Sequence, residues 1–216
     1  MRTQQPPSRR IRRNLARVVL ACAIGVGSYG IAPGTNTASA YCRTGMGIWG
    51  NPSVSKTIGL NTTFPSAMRS GLAASLAQWN QPSSVLRYNA PVYTSGWQIY
   101  AFRGSHSYST LMGSAPGIAS GAQTNNRTSG ELILSNQYTW VNGSQNITGG
   151  TADVQTIAVH EVGHFTGLAH PWIGSGACSD GTTYTTAEQG SVMTTINTGT
   201  RRNLNSDDIA AVQAIY

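Results

Sequence analysis

Three stretches of the chain repeat apolar residues at helical spacing. Met68, Leu72, Leu76 and Trp79 recur every three or four positions, which predicts a helix with one buried face, capped by Ser66 and closed before Pro82. Val154, Ile157, Ala158, Val162 and Phe165 predict a second helix from about Asp153 to Phe165, with Asp153 or Thr151 as its N-cap. Ile209, Val212 and Ile215 predict a last helix starting at Ser206; Asp207 and Asp208 fall in its first turn, where the helix dipole favours them. Strand patterns lie in between. SKTIGL (55–60) reads as a short strand, VLRYNAPVY (85–93) as extended chain, and WQIYAF (97–102) has strand composition. ELILSN (131–136) alternates Leu132 and Leu134 with polar neighbours, as a half-exposed strand does. Residues 103–129 and 171–200 are rich in Gly, Ser and Thr. The first of these predicts loops with room for a short strand, the second an ordered loop held by something other than periodic packing. Neither a repeat nor a linker interrupts the series.

The first forty residues do not join this pattern. Residues 1–17 carry six arginines and no acidic residue, VVLACAIGVGSYGIAP follows, and Ala38-Ser39-Ala40 supplies a small-x-small site. A basic region, an apolar region and such a site predict a secretory signal peptide over residues 1–40, cleaved before Tyr41. The apolar run is too short and too interrupted for a membrane anchor. Arg9-Arg10 leaves the export route open between the general and twin-arginine systems. The formal charge of +7 then belongs mostly to the leader, because residues 41–216 hold eight basic and seven acidic residues, 8 − 7 = +1. Such a balance gives no reason to expect nucleic-acid binding or stable membrane association. A mature chain of this length suits one domain, expected to be secreted and monomeric.

Beyond the leader two cysteines remain, Cys42 and Cys178. An even pair in an exported protein predicts a disulfide, which by chain entropy would contribute roughly 4 to 5 kcal/mol.

Three of the four histidines lie in HEVGHFTGLAH, residues 160–170. On a helix, His160 and His164 project from one face and can share a divalent ion, and imidazole suits zinc. Glu161 beside them can act as general base. A catalytic zinc needs a third ligand and an open position. His170 supplies the ligand only if the chain turns back, and Gly167 permits that turn because it tolerates positive φ.

This segment resembles the metzincin metalloproteases, whose signature HExxHxxGxxH is followed by a methionine turn. The resemblance implies that Met193, in Ser191-Val192-Met193, lies beneath the zinc without ligating it. LNSDDIAAVQAIY (204–216) is similar to the final helix of the matrixin branch, and SAMRSGLAASLAQWN (66–80) to its opening helix. The implied fold is α+β: a twisted mixed sheet with a long first helix, an active-site helix and a C-terminal helix. Pro171 is a serralysin feature, but Thr195 stands where serralysins and astacins place a tyrosine. The cysteine switch and the histidine–aspartate cluster of animal matrixins are not evident, and calcium sites are not predicted.

The function expected is that of a secreted zinc endopeptidase acting on protein or peptide substrates, with one zinc on His160, His164 and His170 and Glu161 as general base and acid. By position, residues 131–136 match the edge strand above the metzincin cleft, which would make Leu132, Ile133 and Leu134 substrate-binding residues; a core strand is the other reading. Arg201 and Arg202 either read a substrate side chain or are solvated. Two other functions stay open: a zinc-holding binding or inhibitory protein without turnover, and a zinc hydrolase of non-peptide substrates.

Overall fold

The computed structural model describes residues 42, 46–93, 95–104, 115–143, 150–173, 176–177, 186–194 and 199–216, all within the unit spanning residues 37–216. Residues 1–40, where a leader is expected, Cys178 and Thr195 lie outside the described residues.

Four strands form the main sheet: β1 (Ile58–Leu60), β2 (Ile99–Arg103), β3 (Gly117–Ser120) and β4 (Gly130–Leu134), in the order β1-β2-β4-β3. β1 with β2 and β2 with β4 are parallel, while β3 runs antiparallel to β4, so the sheet is mixed as expected. The extended segment after residue 85 flanks β1 through bridges from Lys56 to Tyr88 and from Gly59 to Val92. A second, two-stranded parallel pair, β5 (Thr139–Val141) and β6 (Thr151–Asp153), leads directly into the helix that carries His160 and His164. Its three-residue strands are too short to leave a period in the sequence.

The sheet order corrects one expectation. β4 is paired on both sides, to β2 and to β3, and Leu132, Ile133 and Leu134 are all 0 % exposed. The segment 131–136 is therefore neither half exposed nor at the edge, and the core-strand reading holds. Alternation failed as a guide because a strand covered on both faces reads as a continuous apolar run, LIL, whatever its polar flanks suggest. The edge strand is β3, in the glycine- and serine-rich stretch.

Helix α1 (Ser66–Trp79) buries Met68, Leu72, Leu76 and Trp79, the face its spacing predicts. Ser66 is its first helical residue and not its cap. Pro65 takes the N-cap position, and no side chain caps there. Helix α2 (Val154–Phe165) is capped by Asp153, whose carboxylate accepts from Thr156 N–H. After the short helix α3 (Thr186–Gly190), helix α4 (Ser206–Ile215) closes the chain. Its capping box pairs the Asn205 side chain with Asp208 N–H, and the Asp208 side chain with Asn205 N–H. α1 packs along α2, and the Trp79 indole donates to Val159 O at 2.8 Å, on the residue just before His160. Among the described residues no helix is long and apolar enough to cross a membrane.

Arg127 ties the core beside the C-terminal end of α2. It is 2 % exposed, and its guanidinium donates to Ala122 O at 2.6 Å, Gly47 O at 3.0 Å and Phe165 O at 2.6 Å. It also lies 4.7 Å from the Trp49 ring and 5.4 Å from the Phe165 ring. Arg127→Met keeps the stem but strands three carbonyls, so unfolding in urea should show a loss of about 3 kcal/mol. A loss below about 1 kcal/mol would mean that water replaces the guanidinium.

Candidate metal centre

α2 brings two histidines to one face, and its end delivers the third. Leu168 N–H donates to Gly163 O and Gly167 N–H to His164 O, each at 3.1 Å. This is the paired closure of a Schellman motif, with Gly167 in the left-handed region at φ +98°. The chain leaves the helix sharply there. Ala169 N–H is then held by Cys42 O at 2.7 Å, one residue before His170. The ring centroids of His160, His164 and His170 are 4.8 to 4.9 Å apart, and one ligand atom from each falls within 4.8 Å of the other two.

The tautomers follow from the partners. His160 Nδ1 lies 2.8 Å from Val192 O, and His164 Nδ1 2.8 Å from Leu168 O. A carbonyl can only accept, so each Nδ1 carries the proton and each Nε2 keeps its lone pair. Burial lowers the pKa of all three rings, His160 well below its ordinary value and His164 to about 4. For His160 and His164 the neighbouring histidines lower it further, against the opposing pull of Val192 O and Leu168 O. All three are therefore neutral at pH 7, the form that binds metal. His160 Nε2 and His170 Nε2 face each other at 2.9 Å. The bare lone pair of His160 Nε2 is thus turned toward the third ring, where a shared cation would receive it. Three neutral imidazoles in this arrangement fit zinc and leave its fourth position open.

Glu161, 7 % exposed, follows the first ligand. Burial pushes its pKa up to about 8, against a lowering hydrogen bond from Ala119 N–H. That contact comes from the edge strand. A Cβ added to Gly117 would stand 2.9 Å from Glu161 Oε1, so β3 passes directly over the carboxylate. Gly117 and Ala119 therefore belong to the site, although their sequence context carries no signal for it.

Met193 is 2 % exposed and its sulfur rests against Gly163, between the two helical ligands. Asp208 reaches back from α4 to hold the turn, accepting from Ser191 Oγ at 2.5 Å and Val192 N–H at 3.2 Å. Met193 N–H donates to Ser191 Oγ at 2.9 Å. Apolar spacing had explained Asp208 only as a first-turn residue of α4. Its grip on the methionine turn is a contact across 16 residues, which local pattern cannot register. A Cβ on Gly163 would lie 2.2 Å from Met193 Sδ and 2.8 Å from Trp79 Cζ2. Gly163→Ala should accordingly cost about 2 kcal/mol of stability by overpacking, measured by denaturant unfolding. An unchanged midpoint would mean that the thioether and indole yield freely.

The two arginines are half-buried and bonded to the fold rather than turned toward a substrate side chain. Arg202 Nε donates to Asp153 Oδ2 at 3.0 Å and its other arm reaches Oδ1, while Arg201 donates to Ser191 O at 2.9 Å. Cys42 is 2 % exposed; its expected partner Cys178 is outside the described residues.

Residues 57–216 match the family model for matrixins, Peptidase M10. A search of curated proteins returns no match. Among solved structures, the one titled "Structure of myroilysin" is similar at 16 % identity and a TM-score of 0.49, covering 82 % of this chain and 98 % of that one. The family is zinc-dependent and the three converging histidines suit that metal; the chain belongs to the matrixins, metallopeptidases of the metzincin type.

Proposed function

We propose that the chain is a secreted zinc endopeptidase that cleaves protein or peptide substrates with His160, His164 and His170 as ligands and Glu161 as general base and acid. The observation that carries this reading is the placement of Glu161 between the histidine cluster and the sheet's edge strand. When bound, zinc supplies Lewis-acid polarisation of the scissile carbonyl and brings the pKa of an attacking water down to about 7. Glu161 takes that water's proton on a carboxylate oxygen and returns it to the leaving amine. A carboxyl lifted toward neutrality by burial is suited to both transfers.

β3 orients the substrate. Pro116 O is bonded to Ser135 N–H, on β4's side. Alternation along an antiparallel strand therefore turns residues 118 and 120 toward β4 and Gly117 and Ala119 the other way. A peptide adding as a further strand would bond Gly117 N–H and the outward carbonyls of Gly117 and Ala119, and run over Glu161, which holds Ala119 N–H. Such a pairing reads main chain, which accommodates many sequences.

The test is casein or gelatin degradation by the purified mature chain with and without a chelator. Loss of cleavage with the chelator and recovery on adding zinc is the expected result. A chain that holds one zinc yet cleaves no member of a peptide library would end the peptidase reading and leave a binding protein or another hydrolase. Export with cleavage before Tyr41 is checked by N-terminal sequencing, and the Cys42–Cys178 bridge by an intact mass two hydrogens below the reduced value. Two alkylatable thiols in the native protein would exclude the bridge.

A further inference from the structure

We propose that Arg201 is a positioning residue for the metal ligand His160, acting through the methionine turn. The proposal rests on the three histidines holding zinc. Ser191-Val192-Met193 is bonded at every step. Ser191 N–H donates to Glu188 O at 3.1 Å, Val192 N–H to Asp208 and Met193 N–H to Ser191 Oγ. Val192 O receives the His160 Nδ1 proton and so sets the direction of the ring that offers Nε2 to the metal. The neighbouring carbonyl, Ser191 O, takes two donors: Thr194 N–H at 3.2 Å, which closes the turn, and the Arg201 guanidinium at 2.9 Å. Among the described residues, Arg201 thus ties the turn to chain beyond it on the carbonyl side, as Asp208 does on the amide side.

Arg201 itself is fixed to the active-site helix. Its backbone N–H donates to Thr156 Oγ1 at 3.3 Å, and the next residue, Arg202, forms an ion pair with the helix cap Asp153. Gln155 Nε2 donates to Arg202 O at 3.2 Å. Residues 201–202 therefore bridge the first turn of α2 to the methionine turn, and these are the two bodies that hold His160 from its backbone and from its Nδ1. Neighbouring arginines divide the work. Arg202 secures the helix cap, and Arg201 sets where the carbonyl that steers His160 stands. Partners one bond removed from a metal ligand typically change affinity by roughly 10- to 100-fold, and a residue acting through one more bond belongs at the lower end.

Zinc affinity by chelator competition and the visible spectrum of the cobalt(II)-substituted protein, with denaturant unfolding alongside, test this. Arg201→Met keeps the stem and removes the donors; it should weaken zinc about 10-fold and shift the cobalt bands. Arg201→Lys keeps a donor within reach of Ser191 O and should recover affinity to within about threefold of wild type. Arg202→Met should lower the unfolding midpoint with zinc affinity unchanged within about threefold. Wild-type affinity and spectrum in Arg201→Met would overturn the proposal. Equal weakening in Arg201→Met and Arg202→Met would overturn it too, since that is general loosening. If Arg201→Met does not fold, a stable Arg201→Lys protein that has lost about 10-fold in affinity or more has the same force. A wild-type chain that binds no zinc at the histidines fails a different claim, the metal site itself.

Discussion

Glu161→Gln should remove peptidase activity while leaving the metal in place. The amide keeps the volume of the side chain but cannot take a proton from water, so the expected fall in kcat is about 10³-fold, or about 4 kcal/mol of barrier. Zinc content should stay at one per chain, because the three imidazoles do not depend on the carboxylate. A variant with more than about a tenth of wild-type kcat would remove Glu161 from its assigned role. Stability gives a second readout in the metal-free protein. Burial raises the folded pKa of Glu161 to about 8 from an ordinary 4.5. The folded state then holds a proton that the unfolded state has released, and stability falls as pH rises across that interval. Glutamine has no proton to lose, so metal-free Glu161→Gln should be more stable than wild type at pH 8. The gap should narrow toward pH 4.5.

His170→Ala should produce the second large effect, on metal and activity together. Two helical histidines remain, and the ligand that closes the set from outside the helix is gone. Zinc affinity is expected to drop by at least about 10³-fold, which removes about 4 kcal/mol of zinc-linked stabilisation at saturating metal. Peptidase activity should reach background at submicromolar zinc. The metal-free variant should unfold close to metal-free wild type, because the loop keeps its own anchors: the paired bonds at Gly167 and the bond from Ala169 N–H to Cys42 O. A variant that retains tight zinc would mean that another group fills the third position. If the metal-free variant collapsed, His170 would be a structural residue first.

Much of this site is local and was therefore visible in the chain. Two histidines four apart share a helix face by geometry alone, and Gly167 marks the only way for six residues to bring a third one back. The observed φ of +98° is that turn. The helices began and ended within a residue of what their apolar spacing predicted, but only α1 buries the single stripe that spacing marks; α2 is buried almost all round, and α4 buries Asp207, Asp208, Ala211 and Val212 while Ile209 and Ile215 stay half-buried. The matrixin resemblance of the two ends agrees with the family match over residues 57–216. The errors lay where burial is decided by partners distant in sequence. ELIL looked half exposed because polar residues flank it, and its position in the chain resembled that of the cleft's edge strand, yet β2 and β3 enclose it on both sides. Arg201 and Arg202 looked like surface charges in a polar loop, yet both are half-buried and hydrogen-bonded to the fold.

By itself the sequence determined that three histidines and a glutamate fall on and just after one helix, the point where that helix must break, and the extent of the three long helices. Each depends on spacing along one element, and spacing is written in the chain. Only the tertiary structure decided that β3 is the strand over Glu161, that Asp208 and Arg201 hold the methionine turn, and that Val192 O fixes the His160 tautomer. Those are hydrogen bonds between backbone groups and side chains 10 to 42 residues apart. Every residue carries the same backbone donor and acceptor, so residue identity cannot say which of them will meet.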